Sequence, residues 1–140
     1  MIKITKKFKK AIAYDFEALI EQPNYFPIPG SDVLLDRALN AGYSNILYSN
    51  IPQEKLMDIL RNIGLDSLIQ HHFEKTANPD SIDFVRLVRR ANTKRLDLTH
   101  YVTSDPEEAI LAANVMNVSL LGCNRRMRVF QNLYELKFKP

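Results

Sequence analysis

Four polar residues of complementary chemistry follow short apolar segments of the sequence: Asp15, Ser49, Lys75 and Asp105. A further carboxylate, Glu17, stands two residues after the first of them. Two carboxylates can hold Mg²⁺ together with water and a substrate oxygen. A hydroxyl can donate to phosphoryl oxygens, and an ammonium can neutralise the negative charge of a phosphoryl transition state. These residue types therefore suit metal-assisted phosphoryl chemistry, provided that the fold brings them together.

The elements that must position these residues alternate between apolar strands and amphipathic helices. We predict strands at residues 10–14, 45–48, 99–103 and 118–122, and helices at residues 31–41, 52–63, 79–91 and from 106 onward. Residues 22–30 contain three prolines and form a loop, after which Ser31 or Asp32 caps the first helix. Residues 65–73 form a shorter segment that leads towards Lys75, and residues 124–140 fit either a helix or an edge strand.

This alternation predicts an α/β fold, a three-layer, Rossmann-like parallel sheet with helices on both faces. Ligands of such sheets bind beyond the carboxyl ends of the strands, at the point where the strand order reverses. The polar residues that follow the strands should therefore meet at one edge of the sheet. Because only the proline-rich loop separates the first strand from the first helix, we expect no large cap domain.

Four segments carry a family resemblance in their order and spacing. They are AIAYDFEALI from residue 11, PIPGSDVLLDRALNAGYSNILYSN from 27, IGLDSLIQHHFEKTANPDSIDFVRLV from 63 and YVTSDPEEAILAANVMNVSLL from 101. Together they resemble the four motifs of the haloacid dehalogenase-like superfamily over about residues 10–123. The first motif of that family is a strand followed by Asp-x-Asp-Gly-Thr-Leu, and its fourth is a strand, a Gly-Asp turn and an Ala-rich helix.

The resemblance implies a role for each polar residue. Asp15 would be the nucleophile that becomes an aspartyl phosphate, and Glu17 the general acid and base. Ser49 would bind the phosphoryl oxygens and Lys75 would stabilise charge. Asp15 and Asp105 would hold Mg²⁺, together with the backbone carbonyl of residue 17. Members without a cap have open sites and often act on large substrates or in assemblies, so the resemblance also implies a homo-oligomer or a larger assembly.

The first motif departs from the family pattern at three positions. Glu17 replaces Asp, and its extra methylene moves the carboxyl group by about a bond length, a displacement that can cost about 100-fold in rate. Ala18 replaces a glycine whose freedom at positive φ would help form the turn. Leu19 replaces a threonine and removes its hydroxyl.

The later motifs also depart from the pattern. Ser104 replaces glycine, and Ala109 stands where a second acid is common, with Glu107 and Glu108 near but out of register. The segment after Lys75 is Thr-Ala-Asn-Pro, so one of the arginines at 86, 89 and 90 is an alternative source of positive charge. Asp105 before Pro106, like Ser49 before Asn50, is also a fair capping residue.

Two functions from different classes fit these residues. The first is a Mg²⁺-dependent phosphohydrolase with a degenerate site that acts on an unidentified phosphorylated substrate. The second is a non-catalytic domain of the same fold, serving as a structural or interaction subunit of a larger assembly, including one that contains RNA. The departures lie at turn and proton-transfer positions, which weakens the catalytic hypothesis more than the fold prediction.

The amino-acid composition limits the classes of protein to which this chain can belong. The 140 residues, 46% hydrophobic and 25% charged, predict one globular domain over residues 1–140. The single Cys123 excludes an intramolecular disulfide and suits a reducing compartment, where it is expected to be a small apolar residue. No apolar run approaches the ~20 residues of a membrane span. We expect an intracellular, most simply cytoplasmic, protein without membrane contact, and organellar import stays open.

The charge is unevenly distributed. A basic N-terminal segment, residues 1–10, holds five lysines and no acid, and a basic C-terminal tail, residues 124–140, holds five basic residues and Glu135. Of the 19 basic and 16 acidic residues, 9 basic and 15 acidic ones remain between these ends. The basic ends are typical of weak, salt-sensitive contact with a polyanion such as RNA or heparin. Alternating apolar residues (Ile2 and Ile4, Leu136 and Phe138) would equally suit two edge strands whose lysines prevent aggregation.

Overall fold

A five-stranded parallel sheet forms the centre of the computed structural model, which describes residues 8–121. The strands are β1 (Lys9–Asp15), β4 (Ser44–Ser49), β5 (His71–Glu74), β6 (Leu96–Thr103) and β7 (Asn117–Leu120), in the order β5-β4-β1-β6-β7. β1 lies in the middle because the chain adds β4 on one side of it and later β6 on the other. This reversal places the switch point at the carboxyl end of β1. The predicted α/β parallel sheet is confirmed.

Helices cover both faces of the sheet. They are α1 (Phe16–Leu19), α2 (Ser31–Asn40), α3 (Gln53–Ile63), α4 (Ser81–Thr93) and α5 (Pro106–Ala112), with a 3-10 turn at Asp66–Leu68. One core contains buried residues of α2 and α3 such as Leu34 and Leu56, and the other contains Phe84 and Leu87 of α4 with Ala112 of α5. The apolar residues of these helices therefore define three layers, as their spacing predicted.

The segment between β1 and α2 contains no large cap. It consists of α1 and a two-stranded hairpin of β2 (Ile20–Glu21) and β3 (Phe26–Pro27). The proline-rich stretch is thus a hairpin turn and a connection to α2, where a plain loop was predicted. Ser31 fixes this segment, since its buried hydroxyl donates to the carbonyl oxygen of Leu19 at 2.8 Å.

The predicted cap of α2 is wrong. Gly30 occupies the N-cap position with a φ of 96°, and Ser31 is the first helical residue. The Asp32 carboxylate accepts a hydrogen bond from the neighbouring Val33 N–H and does not cap the helix. A left-handed backbone favours glycine over any residue with a Cβ, so the backbone conformation selected the cap here, not a capping side chain.

The edge strand β5 was not predicted as a strand. Of its four residues only Phe73 is fully buried, and the two histidines beside it are half-buried, so the apolar alternation is weak. Asn45 of β4 holds the approach to β5 in place. Its amide donates to the carbonyls of Leu35 and Leu68, and its backbone N–H donates to the side chain of Gln70.

Several sequence predictions lie outside the described residues. They concern the short strands expected around Ile2 and Ile4, the tail 124–140 with Leu136 and Phe138, and Cys123. Within residues 8–121, no helix has the length and apolar character needed to cross a membrane.

Candidate functional site

The carboxyl ends of the parallel strands bring the predicted residues to one pocket. Asp15 ends β1, Ser49 ends β4, Lys75 directly follows β5, and Asp105 follows β6. All four line a pocket of about 190 Å³, together with Glu17 and others. The convergence expected from the strand ends is therefore found, and the site lies at the switch point of the sheet.

Lys75 joins two carboxylates in this pocket. Its Nζ lies 2.8 Å from Oδ1 of Asp15 and 2.7 Å from Oε2 of Glu108, and all three side chains are largely buried. Glu108 is held in turn by Tyr101, whose buried hydroxyl donates to Oε1 at 2.6 Å. Oδ2 of Asp15 accepts a longer hydrogen bond, 3.3 Å, from the Thr103 hydroxyl. The cluster is thus fixed by charge-assisted hydrogen bonds from two strands and a helix.

The cluster carries more negative than positive charge. Burial raises the pKa of Asp15 and the Glu17 carboxylate adds to this, while the Lys75 ammonium opposes it. Burial and then the Asp15 charge likewise raise the pKa of Glu108. For Lys75, burial disfavours the ammonium, but the two carboxylates outweigh it and raise the pKa. Each carboxylate is therefore less stable as an anion than in water, and an additional cation in the pocket would relieve both.

Ser49 and Glu17 occupy different positions around the cluster. Ser49 is buried, and its Oγ accepts a hydrogen bond from the Ile51 N–H at 3.0 Å, as a turn-forming serine does. Its hydroxyl hydrogen can still be donated to a ligand in the pocket. Glu17 is exposed at the mouth of the pocket in the short helix α1. It is therefore in contact with both solvent and the pocket.

Asp105 has the capping role that its position before Pro106 suggested. Its Oδ1 accepts from the Glu107 N–H at 2.9 Å and caps α5. The residue is also part of the pocket wall. A capping role and a ligand role are therefore both open to this carboxylate.

Two expectations about the motifs are wrong. Glu108, judged to be out of register, reaches the cluster because it lies on the buried face of α5 with Ala109 and Ala112. The spacing of 108 and 112 was the available signal, since residues four apart share a helix face. Ala18 lies in α1 as a buried helical residue without positive φ, so the missing glycine strains nothing there.

The arginines considered in place of Lys75 are elsewhere. Arg86 is exposed and pairs with Asp83 at 3.4 Å, and Arg90 donates to the backbone carbonyl of Glu74. Arg89 is exposed on α4 and does not line the pocket. Lys75 is thus the cation that the pocket contains among residues 8–121.

The donor set of the pocket fits Mg²⁺. Across the described part of the chain, no three histidine, cysteine or carboxylate side chains form a cluster that could hold a metal ion. Mg²⁺ needs fewer protein ligands, because it keeps waters and binds one or two carboxylates and a substrate phosphate. Asp15 and Asp105 supply two carboxylates to the lining of the pocket, and the charge of the cluster favours a cation.

The comparisons with known proteins identify the fold. No protein-family model and no curated protein sequence matches the chain. A solved structure similar to it is the core domain, determined by NMR, of a Streptococcus pneumoniae protein described as a phosphoglycolate phosphatase. The two share 15% identity with a TM-score of 0.59, over 84% of this chain and 83% of that one. The chain therefore shares the α/β fold of that core domain over most of its length, which agrees with the family resemblance that its motif order indicated.

A second solved structure is less similar to this chain in its backbone geometry. It is the D,D-heptose 1,7-bisphosphate phosphatase of Burkholderia thailandensis, at 12% identity with a TM-score of 0.41, over 91% of this chain and 100% of that one. This lower score adds nothing to the assignment of the fold.

Proposed function

We propose that this protein is a Mg²⁺-dependent phosphohydrolase that works through an aspartyl phosphate on Asp15. The observation that carries the proposal is the ion-pair cluster, in which the Lys75 ammonium lies 2.8 Å from Asp15 Oδ1 inside a polar pocket at the strand ends. The similar solved structure is described as a phosphatase, which supports the class of reaction.

The first half-reaction transfers the phosphoryl group to the protein. A carboxylate oxygen of Asp15 attacks phosphorus, and the bond from phosphorus to the leaving-group oxygen breaks. Glu17, as a carboxylic acid, gives its proton to that oxygen. Lys75 and the Ser49 hydroxyl stabilise the charge on the phosphoryl oxygens.

The second half-reaction releases phosphate. The Glu17 carboxylate accepts a proton from a water molecule, whose oxygen attacks the phosphorus of the aspartyl phosphate. The bond to Asp15 breaks, its carboxylate is regenerated and inorganic phosphate leaves. Asp15 and Asp105 would hold Mg²⁺, which when bound supplies positive charge to the phosphoryl oxygens.

Hydrolysis of an aryl phosphate with Mg²⁺ tests the proposal. We expect Asp15→Asn to abolish turnover, because an amide cannot act as the nucleophile. Glu17→Gln should lower kcat by about 10²–10⁴-fold through loss of proton transfer. Asp36→Asn, on the exposed side of α2, is the matched control and should retain the parent rate. Equal rates in the parent and Asp15→Asn, or no activity in either, would overturn the proposal in favour of the non-catalytic subunit.

A thermal shift with Mg²⁺ tests the metal separately. Millimolar Mg²⁺ should raise the melting temperature, because a ligand that binds only the folded state stabilises it. Asp105→Asn should remove this rise and leave the metal-free melting temperature nearly unchanged, since asparagine caps helices about as well as aspartate. Asp105→Ala would also lose the cap of α5 and is the less specific variant. A melting temperature indifferent to Mg²⁺ in the parent would remove the metal from the mechanism.

A further inference from the structure

A second cavity of about 400 Å³ lies beside the pocket that contains Asp15 and Lys75, which we name the reaction pocket. Its walls include Asn50, Gln53, His72, Glu74 and Arg90. Asn50 also lines the reaction pocket, and Glu74 directly precedes Lys75, so the two cavities are adjacent at the ends of β4 and β5. We name this second cavity the leaving-group pocket.

The sizes of the two cavities suggest a division of roles. Small-molecule sites usually occupy about 300–1,000 Å³, and the reaction pocket at about 190 Å³ is below that range. It suits a phosphoryl group, whereas the leaving-group pocket is within the range for a small molecule. The remainder of a phosphate monoester would therefore extend past Asn50 into the second cavity.

Arg90 is held in place at this cavity before any ligand arrives. Its Nη1 donates to the backbone carbonyl of Glu74 at 3.0 Å, and its guanidinium carbon lies 4.9 Å from the centre of the Phe73 ring. Both contacts come from the edge strand β5, so they fix the guanidinium there. Its other N–H groups are the donors that a ligand could use.

His72 contributes an uncharged ring to the same wall. Its Nε2 is buried and has no hydrogen-bond partner in the described structure, so this nitrogen shapes the wall and does not reach a ligand. Burial lowers the pKa of this histidine, against a hydrogen bond with the Ser49 backbone, so the ring adds no positive charge to the cavity at physiological pH.

The charges of the pocket select among ligand chemistries. The Arg90 cation and the Glu74 carboxylate balance each other, and the amides of Asn50 and Gln53 both donate and accept. A second phosphate would meet the Glu74 carboxylate, and an aryl ring would leave these polar groups unpaired. Hydroxyl groups, which also donate and accept, match the pocket. We propose that the leaving-group pocket binds the uncharged, hydroxyl-rich part of a polyol or sugar monophosphate.

This inference rests on the proposed function for its reaction, but its test needs no turnover. Asp15→Asn protein is titrated calorimetrically with glucose 6-phosphate, glycerol 1-phosphate, phenyl phosphate, fructose 1,6-bisphosphate and inorganic phosphate. We expect at least one polyol monophosphate to bind about tenfold or more tightly than phenyl phosphate. Arg90→Gln, added to the same protein, should remove that preference and leave the affinity for inorganic phosphate unchanged. Arg89→Gln, one residue earlier on α4, is the matched control and should keep the preference.

The parent protein without added Mg²⁺ is titrated in parallel, so that a misfolded Asp15 variant cannot decide the result. Tightest binding of the bisphosphate, or of phenyl phosphate, would overturn the proposal. A preference for polyol phosphates that survives Arg90→Gln would also overturn it, because the ligand would then lie elsewhere. Selective binding without hydrolysis by the parent in Mg²⁺ would support the pocket while contradicting the proposed function.

Discussion

Lys75 forms ion pairs with two acidic residues whose sequence contexts differ. Asp15 follows an apolar strand and is conspicuous, whereas Glu108 is the second of two adjacent glutamates in α5. Both lie within 2.8 Å of the same ammonium. In the proposed mechanism Asp15 attacks phosphorus, so a lysine held by Asp15 alone would lose its position when that carboxylate reacts. Glu108 gives the ammonium a second, unreactive anchor, which would keep it in place during that step.

Replacing Glu108 should separate activity from stability. Burial and the Asp15 charge raise the pKa of Glu108, so its ionised form is unfavourable in the fold. Glu108→Gln should therefore leave the melting temperature at pH 7 unchanged or higher. The loosened Lys75 should lower kcat for an aryl phosphate by about 10²-fold, since displacements near 1 Å have costs of that order. Steady-state kinetics and thermal melts of one preparation measure both.

Tyr101→Phe is the conservative companion variant. It removes the 2.6 Å hydrogen bond to Glu108 but keeps the carboxylate and the ion pair, so we expect a smaller loss of about tenfold. A Glu108→Gln protein with the parent kcat would contradict the anchoring role of Glu108, whatever its stability.

Sequence patterns predicted the strand-end residues better than the helical one. Asp15, Ser49 and Lys75 each follow a segment that leads to the same edge of a parallel sheet, so topology alone brings them together. Glu108 depends on the rotation of α5 about its axis, which is set by packing against β6 and β7. α5 has seven residues, and its large apolar residue Ile110 is exposed while Ala109 and Ala112 are buried. Its apolar residues therefore do not mark one face, and the sequence did not indicate which face of the helix would be buried.

At the scale of elements, α4 begins with a complete capping box. The Asp80 side chain accepts from the Asp83 N–H at 3.0 Å, and the Asp83 side chain accepts from the Asp80 N–H at 2.9 Å. The helix begins at Ser81, two residues after Pro79, at which the sequence predicted its start. The proline indicated the helix, while two short carboxylates fixed its first residue.

The capping box contributes a measurable part of the free energy of unfolding. Asp80→Ala should lower the free energy of unfolding by about 1 kcal/mol, the usual cost of losing an N-cap side chain. Asp80→Asn is the matched control and should cost only a few tenths of that, because an amide oxygen still accepts from Asp83. Urea unfolding at pH 7 measures both. Equal losses in the two variants would show that the charge, and not the cap, was responsible.

At the scale of the whole molecule, the three histidines respond to acid in the same direction. Burial lowers the pKa of each of His71, His72 and His100, and for His71 nearby lysines add to this effect. The unfolded chain, with histidine pKa near about 6.5, therefore takes up protons before the folded one does. Their contribution to stability is present above pH about 6.5 and is lost as the pH falls through the folded-state pKa values.

We therefore expect the melting temperature to fall between about pH 7 and pH 5. His100→Gln should reduce that fall, since glutamine stays polar beside the Ser119 hydroxyl but does not titrate. Asp15 and Glu108 act in the opposite direction because their folded-state pKa values are raised, so the comparison of parent with variant isolates the histidine. An identical pH profile in His100→Gln would contradict this account.

The lysines of the basic N-terminal segment that the structure describes, Lys9 and Lys10, lie at the opposite end of β1 from the reaction pocket. β1 begins at these exposed residues and ends at Asp15, so a polyanion bound to them would not cover the pocket. We expect weak RNA or heparin binding that is lost when Lys6, Lys7, Lys9 and Lys10 are replaced by serine, with aryl phosphate hydrolysis unchanged. If all four contact phosphates of a single strand, affinity should fall about 50-fold between about 50 and 200 mM salt.

The other basic end provides the matched control for this experiment. Arg125, Arg126 and Arg128 carry a comparable charge in the C-terminal tail, and replacing them by serine removes positive charge without altering the N-terminal lysines. Fluorescence anisotropy with a labelled RNA, run as a salt series, compares both variants with the parent. A reduced salt slope only in the lysine variant assigns the contact to residues 1–10. Binding that survives in the lysine variant, or none in the parent at low salt, would contradict polyanion binding by these lysines. Protection of a sheet edge does not apply to Lys9 and Lys10, because they begin the central strand β1.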